Sequence, residues 1–507
     1  MRGVRRKASR MGTSMSVHQP RLLYALSAFL LFATAPAFAL SIKLTPTFDH
    51  PGAKIAVSGK GFAAHAVIDI YFDGTDELLA TANARGKFKK HSFKVPADAD
   101  PGEHWVTAVE RGDGRGAQAQ FLVSASWVEF NYQPRGGRSN PYGSILSTRN
   151  LDRLSKRWEV STVGGIESAP AVVDGVVYLS SNSTLYALAA DAGTTLWTAD
   201  IHGAGIPEPS PAVVDGVVYI AGGGITQALD AGSGAPIWSV QNGSNRSSPT
   251  VDGGVVYIGS SDHKIYALDA ATGAVLWATA MSGDIASAPA VSGGKVYVGS
   301  TGGELDALDA ETGEILWSAP TGNGIFSSPA VVDGTVYAGS TDYNLYAFDA
   351  NTGATRWSAY TDAPVLSSPA VANGIVYIGS RNRTLSAYDA RNGAGLWAAT
   401  FGDEVDSSPA VANGVVYIGS LDHNIYALDA LTGAKLWSAQ TGSFIEYASP
   451  TVSDGVVYIG SLDQKLYAYA LDGGDNAVYA RRHTEPPSFA SLHPNLRLKP
   501  ESTGRNP

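Results

Sequence analysis

Residues 327–362 read SSPAVVDGTVYAGSTDYNLYAFDANTGATRWSAYTD, and this stretch decides the fold. It contains four short runs rich in β-branched and aromatic residues, separated by turn residues. The pair Asp333-Gly334 suits the positive φ angles of a two-residue hairpin, and Asp349 to Gly353 turn the chain before the fourth run. The stretch therefore predicts four consecutive antiparallel strands of one small sheet.

The same pattern returns along the chain at a nearly constant interval. Eight repeat tryptophans mark it: Trp158, Trp197, Trp238, Trp277, Trp317, Trp357, Trp397 and Trp437. A period of about 40 residues without a helical pattern is typical of a propeller, in which each sheet is covered by its neighbours. The sequence therefore predicts an all-β propeller.

The repeat tryptophans and the repeat starts are out of step. The starts carry Pro170, Pro211, Pro249, Pro289, Pro329, Pro369, Pro409 and Pro450. Trp158 precedes the first start, and the last unit contains no repeat tryptophan. We therefore predict an eight-bladed propeller over residues 157–472, in which the stretch RWEVSTV supplies the fourth strand of the last blade and removes an open edge.

The flanking segments differ from the repeats. Residues 40–125 contain six short alternating runs and resemble bacterial immunoglobulin-like domains, which predicts a small β-sandwich. Residues 126–156 are interpreted as a linker and lead-in to the propeller. Residues 473–507 form a polar, proline-containing tail that we expect to be disordered.

The segment 1–39 has the features of a signal peptide. It contains six basic and no acidic residues, then the apolar stretch LLYALSAFLLFATA at 22–35, then Ala37-Phe38-Ala39 as a cleavage pattern. An uncleaved anchor is the alternative, although this stretch is short for a membrane span. Met15 is a second candidate start. We expect an exported protein, periplasmic or extracellular.

Charge and cysteine content exclude several classes of function. The formal net charge is −10, from 36 basic and 46 acidic residues, and we see no basic stripe that would predict nucleic-acid binding. The chain contains no cysteine. Disulfides, thiolate ligands, thioether-linked haem and a lipidated cysteine are therefore excluded, and we expect a protein that is not a lipoprotein.

The repeat contains a motif that resembles a known family. Ala267, Asp269, Thr272, Gly273 and Trp277 match the tryptophan-docking motif of quinoprotein (PQQ-type) propellers. The motif is complete in four units, and the resemblance covers roughly residues 127–472. It predicts that the eight repeat tryptophans pack on the neighbouring blade. The chain is similar to two branches of this family, the propeller lipoprotein of the outer-membrane β-barrel assembly machine and the PQQ-dependent alcohol dehydrogenases.

The two branches imply different functions. The dehydrogenases imply PQQ with calcium, held beside a vicinal disulfide and a catalytic aspartate. This chain has no cysteine, and no position can be matched to the calcium ligands or to that aspartate. We therefore expect no cofactor, no metal and no catalytic residue, and PQQ with calcium remains an implication of the resemblance. His263 and His423 recur four units apart, too far apart in a ring to share a metal.

The loops before the repeat starts are the most variable part of the array. They contribute Glu167, Glu208, Arg246, Asp284, Phe326, Leu366, Glu404, Asp406, Glu446 and Tyr447. This acidic rim predicts a mouth for a cation, a sugar or a basic peptide, and a solvated rim is the alternative. The leading hypothesis is an exported non-catalytic binding or scaffold protein with a protein or glycan partner. A PQQ-dependent dehydrogenase and a carbohydrate-binding or polysaccharide-acting surface protein are the alternatives.

Overall fold

A computed structural model describes residues 40–45, 48–49, 54–73, 75–96, 102–111, 114–123, 130, 133–134, 136–140, 145–202, 208–243 and 246–472. The predicted signal peptide at 1–39 and the predicted tail at 473–507 lie outside the described residues. Strands joined by short turns make up nearly all of the described chain, so the all-β prediction is confirmed. Among these residues no helix is long and apolar enough to cross a membrane.

The N-terminal strands form two sheets that share one hydrophobic core. The first sheet, in the order β1-β3-β6, consists of β1 (Ser41–Thr45), β3 (Lys54–Lys60) and β6 (Lys87–Lys94). The second, in the order β2-β8-β7-β4-β5, consists of β2 (Phe48–Asp49), β4 (Val67–Phe72), β5 (Thr75–Thr81), β7 (Gly102–Glu110) and β8 (Gly116–Val123). The ring of Phe72 packs edge-on against Phe93 and Phe121, which joins the two sheets.

These two sheets differ sharply in charge. The three strands of the first sheet contain no acidic residue and seven lysines: Lys43, Lys54, Lys60, Lys87, Lys89, Lys90 and Lys94. The strands of the second sheet contain acidic residues but no lysine or arginine. The expectation of a chain without a basic stripe is therefore wrong for the first sheet, because strand pairing brings together lysines from three separate stretches.

Eight sheets follow in the described part of the chain, each with four antiparallel strands, and one of them gains a fifth, parallel strand. Before them come β9 (Ser139–Asn140), a 3₁₀ turn (Leu151–Arg153) and β10 (Leu154–Ser161). The first four sheets consist of β11 (Ala171–Val173), β12 (Val176–Ser181), β13 (Thr184–Ala189), β14 (Thr195–Asp200), β15 (Ala212–Val214), β16 (Val217–Gly222), β17 (Ile225–Asp230), β18 (Pro236–Gln241), β19 (Thr250–Asp252), β20 (Val255–Gly259), β21 (Lys264–Asp269), β22 (Val275–Ala280), β23 (Ala290–Ser292), β24 (Lys295–Gly299), β25 (Glu304–Asp309) and β26 (Ile315–Pro320).

The remaining sheets repeat this arrangement. They consist of β27 (Ala330–Val332), β28 (Thr335–Gly339), β29 (Asn344–Asp349), β30 (Thr355–Tyr360), β31 (Ala370–Ala372), β32 (Ile375–Ser380), β33 (Thr384–Asp389), β34 (Gly395–Thr400), β35 (Ala410–Ala412), β36 (Val415–Gly419), β37 (Asn424–Asp429), β38 (Lys435–Gln440), β39 (Thr451–Ser453), β40 (Val456–Ser461) and β41 (Lys465–Leu471). In the last sheet the fourth strand is β10, which pairs antiparallel with β41.

The first strands of the eight sheets contact one another in a closed cycle. The contacts run through β11, β15, β19, β23, β27, β31, β35 and β39, and β39 contacts β11 again. These first strands are the innermost strands of the array. A strand from the N-terminal end of the array thus completes the sheet at its C-terminal end, so that the two ends of the array are joined by a strand ladder.

Each repeat tryptophan contacts the next sheet of the cycle. The indole Nε1–H of Trp277 donates a hydrogen bond to the carbonyl of Ala310 at 3.0 Å. Across the junction Trp437 donates to the carbonyl of Leu154 at 2.9 Å. Equivalent bonds join Trp158 to Ala190, Trp197 to Ala231, Trp238 to Ala270, Trp317 to Ala350, Trp357 to Ala390 and Trp397 to Ala430. One kind of contact therefore ties all neighbouring sheets together.

Serine hydroxyls join the sheets near their inner ends. The backbone N–H of Ser328 donates to Oγ of Ser368, that of Ser368 to Ser408, and that of Ser408 to Ser449, each at 2.9 Å. Each of these serines directly precedes the proline of its repeat start. The variable loops before these starts therefore emerge next to hydrogen bonds between neighbouring sheets, which fix their positions.

Part of the predicted linker lies against the innermost strands. The carbonyls of Pro134, Gly137 and Arg138 accept hydrogen bonds from the backbone N–H groups of Val291, Val371 and Val411, which belong to the first strands of three different sheets. The strand β9 then pairs in parallel with β35. Residues 136–140 are therefore part of the inner surface of the sheet cycle.

Arg138 anchors this inner segment. Its guanidinium is fully buried and donates to the carbonyl of Pro409 at 3.0 Å and to that of Pro450 at 2.9 Å. It also lies over the ring of Phe130 at 4.6 Å. Burial lowers the pKa of Arg138 to about 9, and the side chain remains a hydrogen-bond donor at neutral pH.

Candidate functional site

Most of the predicted rim residues lie together on one side of the sheet cycle. Glu404 and Asp406 precede β35, Glu446 and Tyr447 precede β39, and Glu167 precedes β11. Glu208 precedes β15, which contacts β11. We call these six residues the acidic arc. The arc is coupled electrostatically, since Asp406 and Glu404 both influence the pKa of Glu446, and Glu446 influences that of Glu167.

The other predicted residues are placed differently. Arg246 precedes β19 at the end of the arc and lowers the pKa of Glu167 through its charge, so it is a neighbour of the arc. Asp284 instead pairs with His263, with 3.0 Å between Oδ1 and Nε2, and both side chains are exposed. Phe326 and Leu366 are half-buried before β27 and β31, and β31 contacts β35 at the edge of the arc. The rim thus divides into an acidic half and a mixed half.

Arg381 lies beside the arc and pairs with two of its carboxylates. The sequence did not identify this residue as part of the site. It follows β32 and donates from Nε and Nη2 to the two carboxylate oxygens of Asp406 at 3.0 and 2.7 Å. Its Nε also lies 3.4 Å from Oε2 of Glu404. The hydrogen bonds to Asp406 raise the pKa of Arg381, which keeps this guanidinium charged.

A signal for Arg381 was present in the repeats. The residue after the Gly-Ser pair that ends the second strand is uncharged in the equivalent units: Ser261, Thr301, Thr341, Leu421 and Leu462. A single arginine at this position is therefore a local exception to the repeat. Comparison of the repeats with one another, rather than of the loops alone, would have found it.

Glu167 and Glu208 are the two carboxyl groups of the arc that have raised pKa values and an oxygen without a hydrogen-bond partner among the described residues. Oε1 of Glu208 accepts a hydrogen bond from the backbone N–H of Asn182, and burial raises the pKa of Glu208 to about 7. Burial also raises the pKa of Glu167, and the charge of Glu446 adds to that shift. Oε2 of each glutamate is buried and has no hydrogen-bond partner among the described residues. Each oxygen would gain a hydrogen bond from a donor that reached it.

The arc is suited to binding a cationic group. It holds five carboxyl groups, and Arg381 pairs most closely with the most buried of them, Asp406. An ammonium or guanidinium group would satisfy the free carboxylate oxygens and relieve the repulsion between neighbouring acids. Within the described ranges no cluster of His, Asp and Glu has the arrangement of a metal site. His263 pairs with Asp284 and His423 packs on Phe444, so the two histidines occupy separate environments.

The described residues do not fit PQQ with calcium. Among the described residues no acidic cluster has the arrangement that would hold calcium. Without that ion, the carboxylates of the arc would repel the carboxylates of PQQ. Residues 136–140 line part of the inner surface of the cycle, and the buried Arg138 is already engaged by two carbonyls. Arg246 and Arg381 are the cations near the arc in the part of the chain described, and Arg381 is held by Asp406. We therefore derive no chemical step through this cofactor.

Comparison with known proteins agrees with the repeat analysis. A family model described as outer membrane protein assembly factor BamB, PQQ_2, matches residues 155–225, 181–287, 261–368 and 346–486, which is more than half of the chain. A 1-butanol dehydrogenase (cytochrome c) from Thauera butanivorans is 34% identical over 166 residues, or 31% of this chain and 19% of that protein. The chain spans about a fifth of the length of the curated relatives it matches.

Solved structures show the same fold. BamB from Moraxella catarrhalis superposes with a TM-score of 0.55 at 22% identity, covering 63% of this chain and 98% of that one. A europium-containing methanol dehydrogenase superposes with a TM-score of 0.59 at 15% identity, covering 68% and 98%. At these identities the likeness concerns the fold alone. The predicted resemblance to PQQ-type propellers is confirmed, and the chain belongs to the PQQ_2 family described as outer membrane protein assembly factor BamB.

Proposed function

We propose that this chain is an exported, non-catalytic binding protein whose acidic arc holds a basic segment of a protein partner. The observation that carries the proposal is the pair of buried, unpartnered carboxylate oxygens on Glu167 and Glu208. A lysine or arginine side chain is the simplest group that satisfies both oxygens. The arc then acts as a receptor for positive charge, with Arg381 holding Asp406 and Glu404 in place.

The fold suits a scaffold. We infer an eight-bladed propeller closed by β10 and preceded by an immunoglobulin-like sandwich. The tryptophan and serine bonds between sheets hold the variable loops on a rigid base, which lowers the entropy lost on binding. The family description as an assembly factor supports a protein partner rather than a small substrate. The signal-peptide pattern at 1–39 supports export, and the cysteine-free chain supports a protein without a lipid anchor.

A PQQ-dependent dehydrogenase is the second candidate. Its support is the 34% identity to a 1-butanol dehydrogenase over 31% of the chain. The acidic arc and the inner segment around Arg138 argue against it, because neither suits an anionic quinone. A glycan partner is the third candidate. Because a neutral glycan carries no charge, its binding should not change when the charges of the arc are removed.

The binding proposal is tested with a decalysine peptide as the probe. We expect E404Q/E446Q to weaken binding at least tenfold, since each removed charge near a protein surface is worth about 1 kcal/mol or more. The matched control is E311Q/E314Q, which removes two exposed charges from a turn between β25 and β26. Equal weakening by both variants would show attraction to net charge alone and would contradict the proposed site.

A further inference from the structure

The lysine-bearing first sheet of the N-terminal sandwich is not used by the proposed function. Its seven lysines, Lys43, Lys54, Lys60, Lys87, Lys89, Lys90 and Lys94, are all exposed. No ion pair joins any of these ammonium groups to a described residue. We call these residues the lysine face. It stands out because the whole chain is acidic, with a net charge of −10.

The strand register places like charges directly opposite one another. Lys54 pairs with Lys94, and Lys60 pairs with Lys87, at the two ends of the ladder between β3 and β6. Like charges in directly opposed positions destabilise a sheet. Lysines on edge strands discourage unwanted strand pairing, which would explain those on β1 and β6. That explanation does not extend to Lys54 and Lys60, because β3 is the central strand of the sheet.

The residues between the lysines are small. Ala56 and Ser58 alternate with the lysines of β3, and Ser92 stands opposite Ala56 on β6. Large rings point the other way, since Phe88 and Phe93 are buried in the core. The lysine face thus has no exposed aromatic ring on which nucleic-acid bases could stack. It also has no arginine for bidentate recognition of a single phosphate or carboxylate. These features favour a broad, flat anionic partner over a discrete ligand.

We propose that the lysine face docks on the surface of an anionic phospholipid bilayer. Three strands at the usual spacing of about 4.8 Å, each with a rise of about 3.3 Å per residue, make a patch roughly 10 Å by 20 Å. Lysines near such a surface add about fivefold in affinity each.

The proposal is tested by co-sedimentation of the purified exported protein with lipid vesicles. One set of vesicles is phosphatidylcholine alone, and the other is a two-to-one mixture of phosphatidylcholine and phosphatidylglycerol. We expect binding to the anionic vesicles only, with loss of binding as salt rises from about 50 to about 500 mM, because screening shortens the range of the attraction. K54Q/K60Q/K87Q/K94Q should weaken binding more than a hundredfold, since each lysine contributes about fivefold.

The controls separate surface charge from folding and from other polyanions. K156Q/K264Q/K295Q/K435Q removes four charges from the propeller and should leave vesicle binding unchanged. The sandwich variant removes both opposed lysine pairs, so its thermal unfolding temperature should not fall. Equal binding to neutral vesicles, equal loss in both variants, or binding to DNA or heparin without binding to anionic vesicles would each overturn the proposal.

Discussion

At the scale of single residues, one glycine per repeat allows the tryptophan contact to form. Gly353 has φ +71°, and a Cβ at this position would lie 2.7 Å from the Trp317 ring. Equivalent glycines face the preceding tryptophan in most repeats, as at Gly273, Gly313 and Gly393. The Asp349 carboxylate accepts hydrogen bonds from the backbone N–H and the hydroxyl of Thr352 and fixes the turn. Turn geometry and room for the indole are therefore provided by the same few residues.

Gly353→Ala should be strongly destabilising. The left-handed conformation costs about 1–2 kcal/mol for a non-glycine residue, and the forced contact with the indole should add about 1–3 kcal/mol. The control is Gly334→Ala, because Gly334 has φ +70° with no atom within 4 Å of its Cβ position. Urea unfolding should show a clearly larger loss for Gly353→Ala. Equal losses of unfolding free energy in the two variants would mean that the indole of Trp317 can move aside, and would contradict the predicted steric clash.

The pH dependence of binding follows from Glu208. Burial raises its pKa to about 7, so this carboxyl gains its charge between pH 6 and pH 8. A cationic peptide should therefore bind the arc more tightly at pH 8, by about fivefold for one added charge near the surface. Decalysine titrations at both pH values check this, with E208Q as the comparison. If E208Q kept the full pH dependence, Glu208 would not be the titrating group.

At the scale of the structural element, the serine bonds position the innermost strands. The backbone N–H of Ser328 has Oγ of Ser368 as its acceptor, at a buried site. Ser368→Ala should leave this donor unpaired and lower the free energy of unfolding by about 1–3 kcal/mol. The exposed Ser358 is the control, since Ser358→Ala should change stability by less than about 0.5 kcal/mol. If Ser368→Ala left the free energy of unfolding unchanged, another group would have to accept the hydrogen bond from the backbone N–H of Ser328.

Strands and turns could be predicted from the sequence where the residues that determine them are close together in the chain. The hairpin pair Asp333-Gly334 and the alternation of β-forming runs lie within a short stretch of chain, so the all-β repeat could be read from the sequence. The position of Arg138 could not, because its partners Pro409 and Pro450 are far away along the chain and meet it only in the folded cycle. The lysine face could not be predicted for the same reason, because its three strands become neighbours only through sheet pairing.

The acidic arc was predictable only in part. The carboxylates stood out in the variable loops, but the sequence could not divide the rim into two halves. Coupling between Glu167 and Glu446 depends on the contact between β11 and β39, the first and last innermost strands of the cycle. Asp284 was grouped with the arc because the loops look alike. Its pairing with His263 depends on where the two loops meet.

At the scale of the whole molecule, the closed cycle predicts that Trp158 matters as much as an internal tryptophan. Trp158 lies on β10 and donates to Ala190, as Trp317 donates to Ala350. Trp158→Ala and Trp317→Ala should each cost about 3 kcal/mol, because each removes a large packed side chain. Urea unfolding of both variants measures this. A nearly neutral Trp158→Ala would show that the array is not closed by β10.

The central claim is that this propeller binds a partner and does not catalyse quinone-dependent oxidation. Calorimetric titration of PQQ with calcium into the purified protein, followed by a dye-linked oxidation assay with alcohols, tests it most directly. We predict no stoichiometric binding and no turnover, because no described cluster has the arrangement to hold calcium and the buried Arg138 is already held by two carbonyls. Tight stoichiometric binding with turnover would contradict the account and identify the chain as a dehydrogenase.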